Sequence, residues 1–314
     1  DSYTVRYLTD LIGVSKTPPA PTLPPYTIED ALKGAAFDQA EFESILNLWR
    51  LKKNLILQGP PGVGKTFLAR RLAYALIGHE LPSRVGMVQF HQSYSYEDFI
   101  QGYRPAEGGF TRKDGVFVRF SKRASLDQDS IYVFIIDEIN RSNLSKVFGE
   151  LLMLIEADKR GSKYSVALTY STSEEEQLYV PANLFLLGMM NTADRSLALV
   201  DYALRRRFAF VELQALFGTS VFSKFLADAK SDHKFVAAVS ERLQSLNQVI
   251  AEDQNLGPGF RIGHSYFCGN GSALTEEAYF SAVRHEIVPL LKEYWFDDPE
   301  RVKDWAEKLL AKFE

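Results

Sequence analysis

The 314-residue sequence predicts an α/β fold, a parallel sheet between helices followed by a small all-helical domain, on three observations. The run Leu55 to Thr66, LILQGPPGVGKT, joins a buried strand to a helix start through a glycine-rich turn. Two further runs, Ile131 to Ile136 and Leu184 to Met190, are continuously apolar, the pattern of strands covered on both faces of a parallel sheet. Beyond residue 213 the strand signals stop and only helical periodicity remains.

In chain order, the first stretch ends in TPPAPTLPP, whose prolines fix an extended backbone and deny it ladder hydrogen bonds. Residues 1–26 are therefore a segment and proline-rich linker, either a spacer or strap, or an ordered arm along the domain surface. Thr27 with Asp30 can cap a short helix. Phe42, Ile45, Leu46 and Trp49 then recur at helical spacing, as a core-facing stripe does. In the glycine-rich turn, Gly59, Gly62 and Gly64 let backbone N–H groups close on an anion. The whole set Gly59, Pro60, Pro61, Gly62, Val63, Gly64, Lys65 and Thr66 fits a phosphate-binding loop. Lys65 brings a point charge to the β- and γ-phosphates and Thr66 a hydroxyl to Mg²⁺. The next helix, with Phe67, Leu68, Leu72 and Leu76 as its apolar side, aims its positive end at the same phosphates.

Val85 to Phe90 reads as a second strand, and the aromatic-rich run His91 to Phe99 as packing or a subunit contact. His91 has no second histidine or cysteine at ligand spacing, so it is not read as a metal ligand. Alternation from Phe110 to Phe120 around Asp114-Gly115 predicts a β-hairpin, lying on the surface or projecting into a central pore. Asp137-Glu138 follows the Ile131 run at the carboxyl end of a strand, the edge where open α/β sheets bind ligands. Glu174 to Glu176 reads as a solvated loop. The Leu184 strand ends at Asn191, and Arg205-Arg206-Arg207 precedes a short strand from Ala209 to Leu213. A boundary near residue 215 gives a nucleotide-binding domain over 27–215 and a helical domain over 216–314, with helices predicted over 232–250, 275–291 and 300–313.

Composition bounds the function classes. Apolar residues make up 46% and charged ones 24%, which is ordinary for a folded enzyme. Thirty-six basic residues against forty acidic give a net charge of −4, which argues against a chain that grips nucleic acid unaided. No apolar run is long enough for a bilayer, and the sequence does not open on a basic-then-apolar leader, so neither membrane insertion nor secretion is expected. Cys268 is the single cysteine, so no intrachain disulfide can form and a reducing cytoplasm is the expected setting.

Four strings together resemble the McrB family, the GTP-hydrolysing AAA+ subunits of modified-cytosine restriction systems. They are Gly59 to Thr66, Asp137-Glu138-Ile139-Asn140-Arg141, Met190-Asn191-Thr192-Ala193-Asp194-Arg195-Ser196 and Gly259-Phe260-Arg261-Ile262-Gly263-His264-Ser265. The likeness runs from about residue 40 to the C-terminus; the Asp-Glu-Ile-Asn-Arg string resembles MoxR-like ATPases too. It implies an AAA+ P-loop NTPase whose helical domain is a lid. Its cofactors would be GTP, with ATP as the alternative, and Mg²⁺ positioned by Thr66 and Asp137. Lys65 would hold phosphates, Glu138 would polarise the attacking water, and Asn191 matches the sensor position. Asp194 joins the catalytic candidates. Asn191 to Asp194 is superficially like the guanine-reading motif of small GTPases, but it lacks that motif's lysine and is not proof of guanine specificity. Arg206 and Arg207 would be arginine fingers reaching a neighbour's γ-phosphate, whereas Arg205 reads as a solvated turn residue. Arg261, on a loop that Gly257, Gly259 and Gly263 suggest is mobile, is the candidate second sensor; His264 reads as a satisfied packing histidine. The implied assembly is a hexamer that moves DNA and activates a McrC-like nuclease. No module for reading modified DNA fits before Pro18, so a motor part is expected, or a target read by another protein. The rival readings are a MoxR-like ATPase that remodels proteins and a nucleotide-gated scaffold with little turnover.

Overall fold

The computed structural model describes residues 23–172, 177–194, 202–269 and 272–313. The readings of residues 1–22, Glu174 to Glu176, Arg195 and Ser196 lie outside them. Pro24 and Tyr26 rest against the domain, where Tyr26 N donates to Gly78 O and Pro24 O meets His79 Nδ1. Helix α1 (Ile28–Leu32) starts at the reciprocal Thr27–Asp30 capping box. Helix α2 (Gln39–Lys52), capped by Asp38, buries Phe42, Ile45, Leu46 and Trp49, and Trp49 Nε1 donates to Leu186 O at 2.9 Å.

Strand β1 (Asn54–Gly59) leads through the glycine-rich turn into α3 (Lys65–Ile77) and then β2 (Val85–Gln89). After α4 (Tyr96–Phe99) comes a hairpin, though not where the alternation placed it. Its strands are β3 (Gln101–Ala106) and β4 (Gly109–Asp114), turning at Glu107-Gly108. Residues 116 to 120 belong instead to α5 (Val116–Leu126), whose Phe117 and Phe120 are buried one helical turn apart. Gly115 is there for clearance, not for a turn: a Cβ would lie 2.2 Å from the Phe99 carbonyl carbon, and its φ of −69° is that of an ordinary helix cap. The aromatic run before the hairpin is packing, with Phe90 stacked on Tyr94 and Phe99 fully buried.

The chain continues through β5 (Tyr132–Asp137), α6 (Leu144–Phe148), α7 (Leu151–Leu154), the short pair β6 (Val166–Ala167) and β7 (Gln177–Leu178), β8 (Leu184–Asn191), α8 (Tyr202–Arg205) and β9 (Ala209–Glu212). Five of these strands form one parallel sheet in the order β2-β5-β8-β1-β9. Alternate side chains feed opposite layers: Ile56, Phe134 and Leu186 one, Leu55, Val133 and Leu187 the other. Each is shielded almost completely, worth about 1.5–3 kcal/mol apiece against exposure, which explains the unbroken apolar runs.

From Phe217 onward a separate apolar core joins α9 (Ser220–Asp228), α10 (His233–Glu252), α11 (Glu276–Ala282), α12 (Val288–Tyr294) and α13 (Pro299–Leu310). A π-turn over Val283–Ile287 separates α11 from α12 where the periodicity suggested one helix. Pro289, which has no N–H to donate, lies two residues beyond its end, in the first turn of α12. Among the described residues no helix is long and apolar enough to cross a membrane.

Candidate active site

The carboxyl ends of β1, β8 and β5 lie side by side, with Gly59 level with Asn191 and Ile136 with Gly188. Each strand therefore delivers its next residues to one edge of the sheet: the glycine-rich loop, Asn191, and Asp137 with Glu138. The loop enters α3 through Gly64 at φ 81°, with no side chain capping the helix, so its first N–H groups remain for an anion. Lys65 folds back over the loop, and its Nζ donates to Gly59 O and Pro60 O at 2.9 Å each and to Asn191 Oδ1 at 2.6 Å.

Burial pushes the Lys65 ammonium down to about 8, against the pull of Glu138, Asp137 and Asp194. A triphosphate binds the charged form, so the lysine's contribution is complete below that value and fades as pH rises through it. Nucleotide affinity is expected to hold from about pH 7 to 8 and then fall by up to about tenfold per unit, read by titrating nucleotide at each pH. A flat profile to about pH 9.5 would exclude Lys65 as the charged phosphate ligand.

Glu138 sits in the left-handed region at φ 50° and ψ 44°, a conformation that costs a non-glycine residue about 1–2 kcal/mol. Its own N–H donates to Asp137 Oδ1 at 3.0 Å. The side chain meets Asn191, whose Nδ2 donates to Glu138 Oε1 at 2.8 Å, so a single amide joins the lysine to the carboxylate. Arg141 supplies a third support that the sequence reading left without a role. Its Nε lies 3.2 Å from Glu138 Oε2 and its Nη2 3.0 Å from Asp194 Oδ2. The i,i+3 spacing of Glu138 and Arg141 was its only local signal. Asp194 thus acts on Glu138 through Arg141, and it is absent from the cavity described next.

The helical domain closes on the loop from the other side. Gly263 N donates to Pro61 O at 2.9 Å and Ser265 N to Gly62 O at 2.8 Å, while Thr192 Oγ1 donates to Gly259 O at 2.9 Å. A Cβ on Gly263 would lie 1.9 Å from the Gly62 carbonyl carbon, so this glycine permits the close approach. Arg261 faces Gln214 Oε1 at 3.5 Å, a long contact outside the cluster around Lys65. Beside the loop lies a cavity of about 520 Å³ lined in part by Ala35, Phe37, Gly64, Phe67, His264 and Cys268. Phe67 is therefore not core: it is 46% exposed, with the Arg71 guanidinium 4.1 Å from its ring centre. His264 is buried, as expected, but not satisfied. Its Nδ1 has no hydrogen-bond partner among the described residues, and burial lowers the ring to about 4, which favours the neutral form.

Arg206 and Arg207 are at the far end of the sheet. Arg207 O accepts from Asn54 Nδ2 at 2.8 Å, and Ala209 pairs with Leu55, so the pair sits at the start of β1. The phosphate loop begins at the other end of that six-residue strand, about 17 Å away. Arg205 and Arg206 are exposed, while Arg207 is partly buried.

Residues 54–208 match the family model of the AAA domain, dynein-related subfamily, and residues 238–303 that of the McrB alpha-helical lid domain. The Type IV methyl-directed restriction enzyme EcoKMcrB subunit of Escherichia coli (strain K12) is 54% identical over 303 residues. The chain belongs to the McrB family. That alignment takes in 95% of this chain and 66% of the E. coli protein, so the chain spans just under two thirds of that relative. The Type II restriction enzyme BsuMI component YdiS of Bacillus subtilis (strain 168) is 26% identical, over 67% of this chain and 73% of its own length. Its AAA domain and McrB lid are those of an AAA+ P-loop NTPase fold. The residues fit a hard divalent ion: Thr66 presents an exposed hydroxyl, and Asp137 a carboxylate with one oxygen turned to the Glu138 N–H.

Proposed function

We propose that this chain is the GTP-hydrolysing motor of a modification-dependent restriction system, working as a ring of six. In this reading residues 27–215 are the nucleotide-binding domain and 216–314 the lid. GTP binds with its phosphates on the Gly59–Thr66 loop and its base in the cavity beside Gly64 and Phe67. Thr66 and Asp137 hold Mg²⁺, which neutralises developing charge on the phosphates. Glu138 accepts a hydrogen bond from the attacking water and draws its proton away. Asn191 keeps Glu138 and Lys65 in register, and Arg141 with Asp194 holds the carboxylate in its left-handed turn. Arg261 is assigned as second sensor at the lid.

The observation that carries the ring is the placement of the arginines, about 17 Å along β1 from their own subunit's loop. A side chain cannot span that distance, so a complete site takes its arginine from a neighbour. The preference for GTP, the movement of DNA and the activation of a McrC-like nuclease in the cytoplasm rest on the likeness to the E. coli subunit. The test is hydrolysis of GTP and ATP side by side, with and without the nuclease subunit. GTP turnover that exceeds ATP turnover and rises with the partner is expected. Preferential ATP turnover would favour a MoxR-like remodeller, and rings without turnover of either nucleotide a scaffold.

A further inference from the structure

Arg206 and Arg207 differ in what holds them, and the holding groups are remote in sequence. Arg207 is anchored inside its own subunit: Nη2 lies 2.9 Å from Glu156 Oε1, and Nε donates to Leu152 O. The Glu156 side chain is only 15% exposed, and its other oxygen meets Lys159 Nζ at 2.9 Å. The main chain of the same turn is braced separately. Asn54, fully buried, donates from Nδ2 to Arg207 O at 2.8 Å and to Ile155 O at 2.7 Å, and its Oδ1 accepts from Arg160 Nη2 at 2.6 Å. Arg160 has no carboxylate partner among the described residues; it donates also to Ile155 O and Leu184 O, each at 3.0 Å. Arg206, one residue earlier, is exposed and has no carboxylate within 4 Å among the described residues, although its charge adds to that of Arg207 in lowering the Glu156 carboxyl.

We infer that Glu156 is a positioning residue for hydrolysis in the adjacent subunit: by clamping Arg207 it fixes the turn before β9 so that Arg206 is presented to the neighbour's triphosphate. Asn54 and Arg160 brace that turn from the main-chain side. The inference rests on the reading that the arginines act in trans.

The physical reason is preorganisation. A charge that must meet a phosphoryl group in transit helps most when no reorganisation is left for the moment of reaction, and an exposed arginine on a loose turn would lose that advantage. A largely buried ion pair is a poor device for stability alone, since apolar residues of similar volume often serve as well, but it does hold one geometry. Lys159, and after it Arg207, hold the Glu156 carboxyl below its ordinary value against the cost of burial, so the clamp is charged throughout the working pH range.

The test uses the full chain. Glu156→Gln is expected to bind nucleotide within about twofold of normal and to melt within about 5 °C of it, while kcat falls at least about tenfold with KM little changed. Glu156→Asp should recover part of the loss. Mixing then separates positioning from general damage. Glu156→Gln subunits mixed with Glu138→Gln subunits should regain hydrolysis, because the second kind brings clamped arginines to the intact sites of the first. Mixed instead with Arg206→Ala, Arg207→Ala subunits they should not, since neither kind presents a held arginine. Arg160→Lys, which keeps the charge but not the fork, should show a smaller loss with the same mixing pattern and serves if Glu156→Gln folds poorly. Normal kcat in Glu156→Gln overturns the inference. So does a failure to regain activity beside Glu138→Gln subunits that do rescue the double arginine variant; in both cases the trans reading stands. If those subunits rescue neither, the trans reading itself falls and the inference with it.

Discussion

Glu138→Gln is expected to bind nucleotide and still form rings, yet to turn over at least about 100-fold more slowly, a loss of about 2.7 kcal/mol of transition-state stabilisation. The amide keeps the shape and the oxygen that accepts from Asn191 Nδ2, so the local arrangement survives. What it loses is the negative charge that draws a proton from water and pairs with Arg141. Lys65→Ala separates the other half of the site. The lysine meets ground-state phosphates, so its removal should appear as lost affinity before any effect on chemistry can be read. Single-turnover hydrolysis and nucleotide titration on the two variants check this, and near-normal turnover in Glu138→Gln would remove Glu138 from the role of base.

The parts of this site that lie on one continuous stretch were legible in the sequence. The phosphate loop, Asp137-Glu138 and Asn191 each follow a strand that its own apolar run announces, and a parallel sheet brings such strand ends to one edge whatever their separation. Where the reading failed, a local pattern had two physical meanings. Asp114-Gly115 has the composition of a tight turn, but this glycine gives clearance to Phe99, and the hairpin turns seven residues earlier at Glu107-Gly108. Phe67 falls on the apolar side of its helix by spacing, yet the first turn of that helix borders the cavity beside the loop, not the core. The bracing of the arginines left no local trace at all. Asn54, Glu156 and Arg160 act on a turn remote from each of them in the sequence, and only the fold puts them together.

Removing both guanidinium groups, Arg206→Ala with Arg207→Ala, should leave nucleotide binding largely intact and cut turnover by about 10³-fold, the scale on which arginine fingers act. Binding survives because the phosphate loop, Lys65 and the cavity are all at the other end of β1 from the substituted residues. Turnover falls because the charge spreading over the γ-phosphoryl oxygens loses a planar cation, which water replaces poorly. Both variants fail alone under the trans reading, and for complementary reasons. Glu138→Gln subunits carry arginines but no base, and double-arginine subunits carry a base but no arginines. The most direct measurement is therefore steady-state GTP hydrolysis in rings shown to contain both kinds of subunit. Hydrolysis that returns on mixing, and scales with the fraction of junctions where a Glu138→Gln subunit presents its arginines to a double-arginine subunit, is the predicted result. Mixed rings as inactive as either parent would contradict it.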